Sequence, residues 1–319
     1  MARRTPTLAD LGESALIERI ARRAGRPTSD WALGIGDDAA ILRPKKGEEL
    51  VFSADAQVEG VHFRFGRETP RVIGRRALAV NLSDLAAMGS RPVGALLSLS
   101  SPPSAKISVF DSVIAGFVEE GASYGCPLVG GNLSRADVWS LHVTVIGRSR
   151  IGGALRRQGL RAGDELFVTG TLGGATLARL RADRRKGALR RVPIPRVAAG
   201  LALARMPGTR ACIDLSDGLA TDLAHLLLAD GKGARIDAKQ LPRPRAFDRE
   251  CRGLGCDPLG VISLGGEDYE LLFAFRSERN RDEAKRLTRA LGVQVTRIGM
   301  ITNEKGIQGL SPVTSGHHF

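Results

Sequence analysis

Ala77 to Gly89 reads ALAVNLSDLAAMG, an apolar helical stripe that carries a carboxylate near its end. Counted from Pro70, the apolar positions Val72, Ile73, Ala77, Leu78, Leu82 and Leu85 face one way. Pro70 and Gly89 supply a start and a stop for a helix over 70–88. Asp84 falls in the last turns, where the helix dipole disfavours negative charge, so its position points to a cation or another specific partner. The stretch has an echo in DLSDGLATDL at 214–223, and Gly130-Gly131-Asn132 is matched by Gly265-Gly266-Glu267. Matches this short suggest only that both halves of the chain contribute the same kind of site loop.

Working outward, residues 8–24 read as an amphipathic helix, and short strands are expected at 39–42 and 50–54. That puts Asp37 and Asp38 in the loop before one strand and Asp55 at the end of the other. A strand at 93–100, a helix near 107–123 and a half-buried strand at 138–146 follow. The Gly- and Arg-rich stretch 149–163 is the candidate domain boundary. Beyond it, strands are expected at 166–169, 211–215, 270–275 and 293–300, with helices at 174–182, 218–229 and 281–291. The basic, proline-bearing run 181–195 reads as an exposed connection.

The chain has 319 residues, enough for two domains, and 43% of them are hydrophobic, as in an ordinary globular protein. It shows no apolar run of membrane-span length and no signal-peptide pattern, so a cytoplasmic protein with no membrane partner is expected. The cysteines at 126, 212, 251 and 256 form no CxxC pair and read as structural thiols. A net charge of +13 raises the question of nucleic acid, but the arginines are scattered and aromatics make up only 4%. A stacking platform is therefore missing, no nucleic-acid partner is expected, and the basic field serves to attract anionic substrates.

Carboxylates beside Gly, Ser or Ala recur at five points: Asp37 and Asp38 in GDDAA, Asp55, Asp84, Asp214 and Asp217 in DLSDG, and Glu267 and Asp268 in GGEDYE. Small neighbours let the backbone approach a ligand, and hard oxygen donors from several loops suit Mg²⁺ with a polyphosphate. The alternative for any one of them is a helix cap or a turn, as for Asp217 before the 218–229 helix. Glu267, Asp268 and Glu270 crowd together and call for a cation or strong solvation. His62 could be structural or functional, and Arg156 and Arg157 could reach phosphate or simply face solvent. His142 and His225 read as structural, and Tyr269 as core. Neither a P-loop nor a strand-linked GxGxxG is present. Phosphate charge would then be met by several carboxylate-held Mg²⁺ ions, assisted by arginines and glycine N–H groups.

GDDAAIL, SADAQVEGVHF, ALAVNLSDLAAMG, IDLSDGLATDLAH and GGEDYELLF together resemble the thiamine-monophosphate kinases, within the wider aminoimidazole ribonucleotide synthetase-like ATP-binding group. The resemblance implies a two-domain α/β (α+β) fold. Residues 1–149 would form a mixed-sheet domain that binds ATP and Mg²⁺ and dimerises, and 150–319 an α/β domain completing the substrate site. It implies a homodimer and direct in-line phosphorylation of thiamine monophosphate by ATP with several Mg²⁺ ions. By position, Asp37, Asp55, Asp84, Asp214 and Asp217 resemble the family's metal ligands. Gly130, Gly131, Asn132, Arg157 and Ser216 resemble its ATP contacts, and His62 and Glu267 its substrate contacts. Three positions depart from the family pattern. Ala54-Asp55-Ala56 stands for TDT, Asn132 replaces a metal-binding carboxylate with an amide, and His317 replaces a substrate-stacking aromatic. The alternatives are another ATP-using enzyme of the same superfamily, or a degenerate protein that binds nucleotide or thiamine phosphate without turnover.

Overall fold

The computed structural model describes residues 5–43, 45–185, 187–276 and 282–311. They divide into two compact units. One holds residues up to Leu85, Arg91–Ile151 and Arg190–Val192, and the other holds Ala86–Ser90, Gly152–Leu189 and Pro193 onward.

The first unit begins with α1 (Leu8–Leu11) and α2 (Glu13–Ala24), then a β-ribbon of β1 (Trp31–Leu33) and β2 (Ile41–Leu42). The single helix expected over 8–24 is split because Gly12 takes a φ of 75°, outside the helical region. A mixed four-stranded sheet follows, made of β3 (Glu48–Val58), β4 (Arg91–Ser101), β5 (Leu128–Arg135) and β6 (Ser140–Arg150) in the order β3-β6-β4-β5. Only the β4–β5 pair is parallel, joined through α4 (Ile107–Tyr124) as such a pair requires. The helix read around Asp84 is α3 (Pro70–Ala87), which packs tightly on α4. A Cβ on Gly74 of α3 would lie 1.9 Å from the Val113 carbonyl oxygen, and one on Gly116 of α4 2.0 Å from that of Arg71. Glycine at both crossings is what lets the two backbones touch. Trp31 donates its indole N–H to the Val93 carbonyl at 2.8 Å and packs with Val129 and Ile146, which seats the ribbon on the sheet.

Two strand readings change. β3 runs to Val58, so Asp55 lies within the strand and not at its end, and Gly130–Asn132 lie inside β5 and not in a loop. The apolar run supports strand over turn once β5 has β4 beside it. At Gly131 a Cβ would sit 1.9 Å from the Leu97 carbonyl oxygen, which explains the glycine.

The second unit has a six-stranded sheet in the order β12-β9-β11-β7-β10-β8. Its strands are β7 (Glu165–Thr169), β8 (Thr209–Asp214), β9 (Gly233–Ile236), β10 (Leu271–Phe275), β11 (Val295–Thr302) and β12 (Gly306–Gln308). All pairs are antiparallel except β12–β9. Its helices are α5 (Gly174–Arg185), α6 (Val197–Leu203), α7 (Leu219–Leu228), α8 (Phe247–Leu254), α9 (Pro258–Leu264) and α10 (Glu283–Leu291). Phe167 and Phe273 stack at 5.6 Å in its interior. Part of the run expected to be an exposed connection is structured: α5 extends to Arg185, and Pro193 and Pro195 are buried.

Cys126, Cys212 and Cys251 are buried free thiols, and burial pushes Cys126 up to about 12, so it stays protonated and unreactive. Among the described residues no helix is long and apolar enough to cross a membrane.

Candidate functional site

In the first unit the strand pleat sorts the candidate residues onto two faces. Ala56 pairs with His142, His142 with Ser98, and Ser98 with Asn132, so these four share one face. Asp55, Val143, Leu97 and Gly131 form the next row, on the opposite face. On that side Ser53, two residues before Asp55, donates its hydroxyl to Asp84 of α3 at 2.5 Å. The contact ties the end of α3 to β3 and holds a half-buried carboxylate beside the strand.

The other face opens into a cleft of about 1040 Å³, walled in part by Asp37, Asp38, Phe52, Gly130, Asn132 and His142. Asp37 and Asp38 are exposed in the β1–β2 loop, where the Asp38 N–H donates to Asp37 at 2.8 Å. The structure thus brings Asp37, Asp38, Gly130 and Asn132 to one cleft, which the Gly131 backbone also lines, and it puts Asp55 and Asp84 across the sheet from it. His62 lies in the turn after β3, and its Nδ1 accepts the Val58 N–H at 3.1 Å. That contact leaves Nε2 to carry the proton of the neutral ring. His142 and His225 are both exposed, and His142 Nε2 lies 2.6 Å from the Ser140 hydroxyl.

In the second unit two loops are knitted together by backbone. Leu215 N–H donates to the Glu270 carbonyl, Tyr269 N–H to that of Leu215 and Glu267 N–H to that of Ser216, each at 2.8 Å. These bonds carry the β8–β10 ladder past the strand ends and place Asp214, Ser216, Asp217 and Glu267 in one local cluster. Asp222, in the first turn of α7, caps the 214–218 loop by accepting from the N–H groups of Asp217 (3.0 Å) and Gly218 (3.2 Å). Burial pushes its carboxyl up to about 8, with the charges of Asp214 and Asp217 adding.

Two of the three crowded acids of GGEDYE, where a cation or strong solvation was expected, take protein partners of their own. Asp268 accepts the N–H groups of Gly173 (2.5 Å) and Ala175 (3.1 Å) at the start of α5, where the helix dipole favours a carboxylate. Glu270 is buried and takes both Nε (2.6 Å) and a terminal nitrogen (2.5 Å) of Arg196, plus the Thr169 hydroxyl (2.6 Å). Glu267, just before the first anchor, and Tyr269, between the two, adopt φ values of 70° and 53°. Such backbone costs roughly 1–3 kcal/mol per residue and persists only where the surroundings enforce it. Tyr269 is buried, as the strand alternation implied.

Arg157 is exposed in the segment leading to β7, and neighbouring Arg156 accepts the Cys212 N–H through its carbonyl at 2.9 Å. His317 lies outside the described residues. Sequence reasoning missed Arg196 and Asp222. The signal for Asp222 was its spacing, four residues after Gly218 in a first helical turn. Arg196 closes a basic run and carried no distinguishing signal.

Among the described residues no set of three His, Cys, Asp or Glu side chains is gathered to hold a metal ion. The carboxylates come singly and in pairs. That suits Mg²⁺, which commonly keeps one or two carboxylates and completes its shell with water and substrate phosphate. The carboxylates of Asp214 and Asp217, whose charges help to push Asp222 up, also suit a cation.

Residues 36–149 match the family model described as AIR synthase related protein, N-terminal domain, and 161–310 match its C-terminal domain. The thiamine-monophosphate kinase of Synechococcus elongatus is 37% identical over 319 residues, covering 95% of this chain and 92% of its own. A crystal structure of thiamine-monophosphate kinase from Stenotrophomonas maltophilia is 36% identical, with a TM-score of 0.80, covering 93% of this chain and 96% of that one. A structure described as AaThiL complexed with AMPPCP and TMP is 29% identical, with a TM-score of 0.74, covering 95% and 94%.

Proposed function

Because the chain belongs to the AIR synthase-related family and, within it, to the thiamine-monophosphate kinases, we propose that its paired carboxylates serve ATP-dependent phosphorylation of thiamine monophosphate. A phosphate oxygen of thiamine monophosphate bonds to the γ-phosphorus of ATP as the bond to the ADP oxygen breaks, giving thiamine diphosphate and ADP. The observation that carries this reading is the 37% identity across 95% of the chain to a kinase of that activity.

Two crowded phosphate groups must meet, so the protein's task is positioning and neutralisation more than covalent chemistry. Asp55 with Asp84 on one face of the sheet, Asp37 with the neutral Asn132 amide on the other, and Asp214 with Asp217 would each hold Mg²⁺. Bound Mg²⁺ supplies positive charge to the phosphate oxygens. Gly130 and Gly131 let backbone approach the nucleotide, and Asn132, Arg157 and Ser216 are its other contacts. His62 presents its imidazole, held through Nδ1, and Glu267 a carboxylate toward thiamine monophosphate. A homodimer is supported by the open sheet face, where Phe52 is 61% and Leu50 44% exposed. Use of ATP as phosphate donor supports a cytoplasmic location.

Chromatographic assay of thiamine diphosphate with ATP and Mg²⁺ tests the reading, with thiamine monophosphate and thiamine compared as acceptors. Product from the monophosphate alone is expected. No product from it, or equal use of thiamine, would overturn the assignment.

A further inference from the structure

Arg196 lies just before α6, at the end of a stretch with buried Pro193 and Pro195. Its guanidinium meets the Glu270 carboxylate through two nitrogens, and the Thr169 hydroxyl takes the same carboxylate while accepting the Leu271 N–H at 2.9 Å. Space around that carboxylate is tight: a Cβ on Gly170 would fall 1.9 Å from it. Glu270 therefore has one place to be, and the residue three positions before it is Glu267.

We propose that Arg196 is a positioning residue for thiamine monophosphate: by fixing Glu270 it holds the strained turn Glu267–Tyr269 that presents Glu267. This rests on the reading that Glu267 contacts that substrate. The turn is pinned on one side of Tyr269 by Asp268 at the start of α5 and on the other by Glu270 on Arg196. Left-handed backbone at Glu267 and Tyr269 relaxes when either pin is lost. The Asp214–Asp217 loop carries its own cap, Asp222, which Arg196 does not supply. Loss of Arg196 therefore affects Glu267 ahead of the metal-binding carboxylates.

Arg196→Lys keeps the charge and loses the two-point contact. Steady-state kinetics should show the KM for thiamine monophosphate raised about tenfold, with the KM for ATP changed less than about twofold. Arg243→Lys, which disturbs an arginine–aspartate pair elsewhere in the second unit, should leave both values alone. Equal changes in both KM values, or none in Arg196→Lys, would overturn the proposal. A wild type that leaves thiamine monophosphate unphosphorylated would sink the substrate reading instead. The positioning claim is then read by amide hydrogen exchange. Faster exchange at Glu267 and Tyr269 in Arg196→Lys, with Gly218 unchanged, supports it, and unchanged protection at all three overturns it.

Discussion

The two units handle similar acidic loops in opposite ways. In the first, Asp37, Asp38, Asp55 and Asn132 are exposed, Asp37 and Asp55 accept from adjacent backbone, and the half-buried Asp84 accepts from Ser53. In the second, Asp214, Asp222, Asp268 and Glu270 are all buried, and the DLSDG and GGEDYE loops are stitched to each other. Exposed carboxylates can be deleted at little cost to folding, because water replaces what they lose. Buried ones leave orphaned donors and cations behind. Acids of the first unit should therefore fail in rate, and those of the second in stability as well.

The largest effect is expected at Glu270. Glu270→Ala strips a buried carboxylate from Arg196 and Thr169 and should cost about 3 kcal/mol, measured by urea unfolding. Asp84→Asn is its counterpart in the first unit. It should keep the fold and lower kcat by roughly 10²–10³, since a charge near transferring phosphate is removed. A large stability loss with intact kcat at Asp84 would erase the contrast. Gly74→Ala, far from either loop, should cost about 1–3 kcal/mol through the α3–α4 crossing without changing the Mg²⁺ requirement.

The helices around Asp84, the strands either side of it and the acidic loops were legible in the sequence, because 3.6-residue periodicity, Pro70 and Gly89 mark them locally. β1, β9 and α6 were not, since strands and helices this short take their stability from what they pack against. The same holds for the site. Carboxylates beside small residues announced themselves, whereas Arg196 looked like any arginine in a basic run until Glu270 was seen beside it. Asp268 shows the reverse: its crowding suggested a cation or strong solvation, and its carboxylate accepts from the start of a helix more than ninety residues earlier.

Smaller effects sharpen the first unit further. Asn132→Asp adds a charge on the open sheet face and should lower the Mg²⁺ concentration for half-maximal rate by about threefold. No change would separate Asn132 from the metal. Asp30 gives a pH test. The Lys45 ammonium bonded to it holds its carboxyl below the usual carboxylate range, against the opposing effect of burial and with help from Arg91 and Arg148. A depressed folded pKa contributes stability above the ordinary Asp value of about 3.9, lost as pH falls below it. Asp30→Asn should thus be less stable than wild type at neutral pH, with the gap closing under acid in unfolding curves taken across pH.

The central claim is that these carboxylates work by holding Mg²⁺ for phosphoryl transfer to thiamine monophosphate. A titration of wild-type thiamine diphosphate formation against free Mg²⁺, started from EDTA-stripped protein with ATP in excess, tests it most directly. The account predicts no product without the metal and a return of full rate on its addition, with Asp84→Asn needing more Mg²⁺ and reaching a lower ceiling. Undiminished turnover in EDTA would contradict it.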